Sequence, residues 1–138
     1  MTKEEIVSKV KTLNLPENSY VVFGSCPMAL AGLRESNDID MLVSKTVFDM
    51  LKKSGWQEIE KDPEDTVLSY DVFEVKDKWS FRSYDPILED LLSTATVVDG
   101  TPFASLEEVR KWKAGSTRPK DIADIELIDK YFKQHEKR

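Results

Sequence analysis

An α+β fold, a small mixed β-sheet flanked by helices, is the fold class this sequence predicts. Three observations carry that reading. Short β-branched and aromatic runs, Tyr20 to Phe23 and Ile39 to Val43, alternate with stretches of helical periodicity. The later part of the chain contains an alternating run and an Asp99-Gly100 turn of the kind that closes a hairpin. No internal repeat, low-complexity tract or linker interrupts the pattern, and 138 residues make a single domain, 1–138, with a core of ordinary size.

Thr2 to Leu13 places Ile6, Val7, Val10 and Leu13 at helical spacing, and Thr2 with Glu5 forms a capping-box pattern. The Asn14-Leu15-Pro16 turn ends this helix. Tyr20 to Phe23 reads as a buried strand that stops at Gly24, and Pro27 to Gly32 as a short helix with Pro at its start and Gly at its end. Ile39 to Val43 is the next strand, and Thr46 to Ser54 a helix stopped by Gly55. Trp56 to Glu60 starts another strand. Thr66 to Val75 alternates as strand, with Trp79 to Ser83 extending it or pairing with it. Pro86 to Leu92 reads as a helix and Ala95 to Phe103 as two strands around Asp99-Gly100. A second capping box at Ser105 and Glu108 opens a helix, and Pro119 to Gln134 forms the last one, with Ile122, Ile125, Ile128 and Phe132 as its apolar stripe.

Charge narrows the functional classes. Lys and Arg number 20 against 26 Asp and Glu, a net charge of -6, which disfavours binding nucleic acid by general phosphate neutralisation. No apolar run approaches membrane-spanning length and the charged start has no signal-peptide core, so a cytoplasmic protein without membrane association is expected. Cys26 is the one cysteine and His135, in a charged tail, the one histidine. Structural zinc and Ser-His-Asp or Cys-His catalysis are thereby disfavoured, and carboxylates are the plentiful metal ligands.

Chemistry concentrates between Tyr20 and Ser44. Asp38 and Asp40 lie two apart on a strand pattern, so both side chains leave the same face. Two carboxylates held in that way can share Mg²⁺, a cation that takes oxygen ligands and leaves room for substrate phosphate. Upstream, Gly24 permits close approach of the backbone to a ligand, Ser25 offers a hydroxyl, and the following helix start offers N–H groups to a phosphate. The plain alternatives are solvated turn acids and an ordinary strand-to-helix turn with Ser25 or Cys26 as N-cap. The conjunction favours the functional reading, because phosphate donors and paired acids fall at the ends of adjacent elements.

Phe23-Gly24-Ser25, a spacer, and Asp38-Ile39-Asp40-Met41 resemble the signature of the nucleotidyltransferase superfamily, whose fold is shared with DNA polymerase β. Leu33-Arg34-Glu35-Ser36 is similar to the segment before Asp-x-Asp in its abortive-infection and toxin-associated branch. The closing stretch Ser105 to Ile128 also resembles that branch, with Lys113, Arg118, Lys120, Asp121 and Asp124 as its polar members. The resemblance implies a polymerase β palm-like fold and a metal-dependent transfer of a nucleoside monophosphate from an NTP, with release of pyrophosphate. It implies Mg²⁺ or Mn²⁺ on Asp38, Asp40 and a third carboxylate from a later strand. Asp71 and Glu74 both have the apolar-acid-apolar context for that role; Asp71 is preferred as nearer the centre of its run, and three residues' separation on a regular strand would exclude using both.

Gly24 and Ser25 would hold outer phosphates, with Lys113 and Lys120 as further triphosphate contacts; alternatively Lys120 and Asp124 form a surface ion pair at i,i+4. Trp79 and Trp112 are core or rim aromatics, or stack a base. The acceptor is open: an RNA end, a protein side chain or a small molecule. A non-catalytic nucleotide-binding or antitoxin-like regulator of the same fold is the second reading. A haloacid-dehalogenase-type phosphatase is disfavoured, because Met41-Leu42 follows the acids where that family has Thr or Val.

Overall fold

The computed structural model describes residues 1–62 and 65–135. Residues 136–138 of the charged tail lie outside the described residues. In chain order the elements are α1 (Lys3–Lys11), β1 (Tyr20–Phe23), α2 (Cys26–Leu30), β2 (Ile39–Val43), α3 (Lys45–Lys53), β3 (Gln57–Asp62), β4 (Asp65–Tyr70), β5 (Phe73–Lys76), α4 (Leu88–Ser93), β6 (Thr96–Val98), β7 (Thr101–Phe103), α5 (Leu106–Ala114) and α6 (Pro119–His135). The strands form one seven-stranded sheet in the order β3-β4-β5-β2-β1-β7-β6. It is mixed: β1 runs antiparallel to β2, while β5 is parallel to β2 and β7 parallel to β1.

Local chemistry sets the boundaries. The Thr2 and Glu5 capping box closes in both directions at the start of α1. Ser44 and Ser105 cap α3 and α5 by accepting from Val47 N and Glu108 N. Asp99 and Gly100 carry φ of 50° and 79° between β6 and β7, the left-handed pair a two-residue hairpin turn requires.

Period-2 alternation then divides the core. Ile39, Met41 and Val43 point to one face of the sheet, with Val22, Phe73, Val75 and Phe103, against Ile6 and Val10 of α1 and Val47 and Leu51 of α3. Val21, Phe23 and Leu42 point to the other, against Leu91 of α4, Val109 of α5 and Ile128 of α6. Phe23 anchors this second layer: Trp79 stacks on it at 4.5 Å and Trp112 meets it edge-on at 5.6 Å.

Two elements differ from the sequence expectation. The run from Thr66 to Val75 is not one strand; it folds back on itself, with Tyr70 paired to Phe73 and Asp71 at the turn with φ 55°. Asp tolerates that left-handed conformation, and the turn chemistry outweighs the alternating pattern around it. Trp79 to Ser83 adds no strand to the sheet, contributing a lone bridge between Phe81 and Tyr84. The second difference is the buried face of α6, which carries Asp121 and Asp124 with Ile128, while Ile122 is 46% exposed. Helical spacing places 121, 124 and 128 on one face as readily as it places 122, 125 and 132 near it, and ion pairing decides which is buried.

Ile128→Ala is expected to cost about 2–5 kcal/mol through lost burial and a cavity. Ile122→Lys should change stability by no more than about 0.5 kcal/mol, as at other exposed positions. Urea denaturation of both variants measures the difference, and equal losses would show that Ile122 belongs to the packed face after all.

Candidate active site

The antiparallel pairing of β1 and β2 brings the end of one strand to the start of the other, with Phe23 opposite Asp40. Gly24 leaves β1 with φ 64°, and the Asp40 side chain lies against its α-carbon. A β-carbon on residue 24 would stand 2.8 Å from the β-carbon of Asp40 and overlap its carboxylate. Glycine is therefore required twice, for the backbone conformation and for the space. Ser25 follows at the N-cap position of α2, but its hydroxyl makes no capping hydrogen bond. With five residues, α2 sums too little aligned dipole to act as a strong anion site, so the helix end contributes less than the sequence suggested.

On the other side of β2, parallel β5 sets Glu74 in register with Asp40. Paired positions share a sheet face. A cleft of about 330 Å³ opens there, lined by Asp38, Asp40 and Glu74 together with Ser25, Arg34 and Lys120. Asp38 lines it from the bend just before β2. Asp71 is elsewhere. At the β4–β5 turn its carboxylate pairs with Lys9 of α1 at 2.9 Å, and it is not part of this wall. The turn takes residue 71 out of the strand and leaves Glu74 in register with Asp40.

Asp38 is held through its backbone. The Ser36 hydroxyl donates to Asp38 O at 2.7 Å, and Cys26 Sγ lies 3.3 Å from the same oxygen. Burial pushes the Cys26 thiol up to about 11, so it is a packing group and not a nucleophile.

A buried ionic cluster backs the cleft. Lys113, on α5, is 3% exposed, and its Nζ lies 3.1 Å from both Asp121 Oδ1 and Asp124 Oδ2. Arg34 reaches Asp124 at 2.8 Å, tying the segment after α2 to α6. Arg118 grips Asp121 with Nε at 2.8 Å and Nη2 at 3.2 Å, and the Ser116 hydroxyl donates to it at 2.6 Å. Burial by itself would raise the Asp121 carboxyl; the hydrogen bonds from Arg118, Ser116 and Lys113 outweigh it and hold the group far below the usual carboxylate range. Lys113 reaches the cleft wall, yet its charge is balanced inside the protein. Lys120 is exposed on the cleft rim, and Asp124 pairs with Lys113 and Arg34.

Sequence reasoning gave Arg34 no role of its own. Its partner is 90 residues away in the chain, and no local pattern could have named it. Glu74 had the apolar-acid-apolar context of a candidate ligand, but its place beside Asp40 depends on the register of β5 with β2. Trp79 is a core aromatic at 4% exposure, whereas Trp112 borders the cleft.

A divalent cation fits the chemistry of this wall. Its donors are carboxylate oxygens without thiol or imidazole, the hard ligands that Mg²⁺ or Mn²⁺ takes. Among the described residues, however, no group of three or more His, Cys, Asp or Glu side chains is placed to hold a metal ion unaided.

No protein-family model matches the sequence, and no curated protein matches it. Two solved structures resemble the fold. One is ANT(2")-Ia in complex with adenylyl-2"-tobramycin, with TM-score 0.55 and 14% identity over 94% of this chain and 86% of that one. The other is JHP933 from Helicobacter pylori, with TM-score 0.52 and 19% identity over 98% of this chain and 70% of that one.

Lys113→Ala should destabilise the protein by about 3–5 kcal/mol, because it leaves two buried carboxylates without their shared cation. The depressed Asp121 carboxyl contributes stability that is present above the ordinary aspartate pKa of about 3.9 and is lost as pH falls below it toward the native value. Asp121→Asn should therefore flatten the acid limb of a melting-temperature profile while lowering stability at neutral pH; an unchanged acid limb would remove Asp121 from that role. These distances and likenesses converge on one statement of kind: the chain has a mixed sheet flanked by helices that matches the polymerase β-like nucleotidyltransferase fold.

Proposed function

We propose that the chain is a metal-dependent nucleotidyltransferase that moves a nucleoside monophosphate from an NTP to an acceptor, with release of pyrophosphate. The observation that carries this reading is the pairing of Asp40 with Glu74 on adjacent parallel strands, in a cleft that also holds Asp38 and Ser25. The adenylylated product named with ANT(2")-Ia shows that a protein of this fold is found with a nucleotidyl-transfer product.

Asp38, Asp40 and Glu74 would hold Mg²⁺ or Mn²⁺, which when bound neutralises phosphate oxygens and lowers the pKa of an acceptor hydroxyl. The remaining work falls to this chain's own groups. Ser25 donates its hydroxyl to a phosphate oxygen, while Arg34 and Lys120, which also line the cleft, offset triphosphate charge. Gly24 lets the chain pass close beneath Asp40 and keeps that carboxylate at the mouth of the cleft. The acceptor oxygen attacks the α-phosphorus, its proton leaves to a carboxylate or to solvent, and the bond to the pyrophosphate oxygen breaks. Rigid placement of these groups on strand ends supplies orientation and charge stabilisation.

Two finer assignments belong to the same proposal. The likeness of the Leu33-Arg34-Glu35-Ser36 segment and of the Lys113-to-Asp124 stretch to the abortive-infection and toxin-associated branch supports assigning the chain to that branch, with a role in the cytoplasm. The second reading is a non-catalytic nucleotide-binding or antitoxin-like regulator; it is favoured by the absence, among the described residues, of three metal-binding side chains already gathered together.

Titration calorimetry with Mg²⁺ and a non-hydrolysable NTP, beside a pyrophosphate-release assay, separates these outcomes. Glu74→Gln and Asp40→Asn should each weaken NTP binding about tenfold or more, the range seen when metal-site groups are removed. Asp71→Asn should leave binding unchanged and cost no more than about 1 kcal/mol of stability, as an exposed ion pair does. Magnesium-dependent binding without pyrophosphate release from any NTP would establish the regulatory reading; equal effects of Glu74→Gln and Asp71→Asn would refute the site.

A further inference from the structure

A second cavity, of about 400 Å³, adjoins the cleft and shares Trp112, Lys113 and Arg118 with it. Its other walls are Phe81 and Arg82, from the segment between β5 and α4, and the stretch after α5 that carries Ser116. We propose that this cavity is the acceptor site, and that the acceptor is a nucleoside phosphate, either free or at the end of a strand. The inference rests on the transferase reading above and deepens it.

Charge is the first argument. In a protein of net charge -6, this cavity gathers Arg82, Arg118 and Lys113 against the single carboxylate of Asp121. That carboxylate is already neutralised by Lys113 and Arg118, so it repels no anion. Behind Arg82 the cluster holds three cations, Lys113, Arg118 and Arg34, against two carboxylates, Asp121 and Asp124, so a cationic acceptor meets net positive charge whereas a phosphate meets the Arg82 guanidinium in a favourable field.

Shape and surface are the second. Phe81 and Trp112 supply aromatic faces, and the Arg82 guanidinium sits 5.4 Å from the centroid of the Phe81 ring. Arg82 covers one face of Phe81, so a nucleobase would stack on the outer side of that guanidinium or on the remaining face of Trp112, and a cavity of this volume holds a nucleotide-sized ligand. Ser116 adds a hydroxyl, already engaged with Asp121, that fixes this wall.

Placement is the third. Arg82 has φ 56°, and its Cδ would stand 3.0 Å from a β-carbon at Gly115, the residue that ends α5. Glycine at 115 gives the arginine room beside the carbonyl end of that helix, where a cation is favoured. Because Arg82 lines this cavity and not the acidic cleft, its removal separates acceptor binding from NTP binding.

The test saturates the protein with Mg²⁺ and a non-hydrolysable NTP, then titrates AMP, a single-stranded RNA trinucleotide, adenosine and spermidine by calorimetry. Wild type should bind AMP or the trinucleotide at one further site, more weakly as salt rises. The tighter of the two identifies a free nucleotide or a strand end. Arg82→Glu should weaken that second binding about tenfold or more, as loss and reversal of a charge-assisted contact does, with NTP affinity and melting temperature unchanged. Adenosine binding as tightly as AMP, spermidine binding in place of AMP, or AMP binding indifferent to Arg82→Glu would each overturn the proposal. So would loss of NTP affinity in that variant, which would make the cavity part of the NTP site. Failure of the NTP analogue to bind, with Arg82-dependent AMP binding intact, would defeat the transferase reading and leave this cavity as a nucleoside-phosphate site.

Discussion

The ammonium of Lys113, buried between Asp121 and Asp124, is the constraint on which the arrangement around the cleft depends. A lysine at 3% exposure is tolerable only when its charge is matched at hydrogen-bond distance, and both acids come from α6 while the lysine comes from α5. Any rotation of one helix about the other would strand at least one charge. Arg34 extends the lock to the segment that leads into Asp38, so the C-terminal helices and the acidic strand are positioned by one network. Such networks are poor sources of net stability, and here the network joins α5, α6 and the segment after α2 through shared charges.

The sheet supplies the complementary constraint. Phe23 opposite Asp40, and Asp40 level with Glu74, are consequences of strand register, and register is fixed by the two apolar layers that alternate along β1, β2 and β5. A slip of one residue would bury Asp40 and expose Met41. The core thus specifies where the carboxylates stand, and Gly24 permits the close approach that follows. Across the shared wall of Trp112 and Arg118, an acidic cleft and a cationic aromatic cavity meet, an arrangement suited to two ligands of different charge demand.

Much of this was legible in the sequence because it is local. β1 and β2 begin and end as the apolar runs indicate, and the Thr2 and Ser105 caps start their helices. Period 2 predicts Asp38 and Asp40 on one side, and both line one cleft, although Asp38 stands in the bend before β2. What local pattern could not carry is long-range pairing. Asp71 looked central to an alternating run, and only the fold-back of Tyr70 onto Phe73 shows it as a turn residue paired with Lys9. The stripe of α6 was read by hydrophobicity, yet two aspartates occupy its buried face because their cations arrive from α5 and from the loop after α2. Arg34, Lys113 and Asp124 make a site only in three dimensions.

Crystals grown with Mn²⁺ and a non-hydrolysable NTP, measured at the manganese edge, test the central claim most directly. The expected result is an anomalous peak in contact with Asp40 and Glu74, with the triphosphate running toward Ser25, Arg34 and Lys120 and the Asp71–Lys9 pair intact. Manganese bound without Glu74, or a triphosphate seated away from the β1–α2 turn, would contradict it.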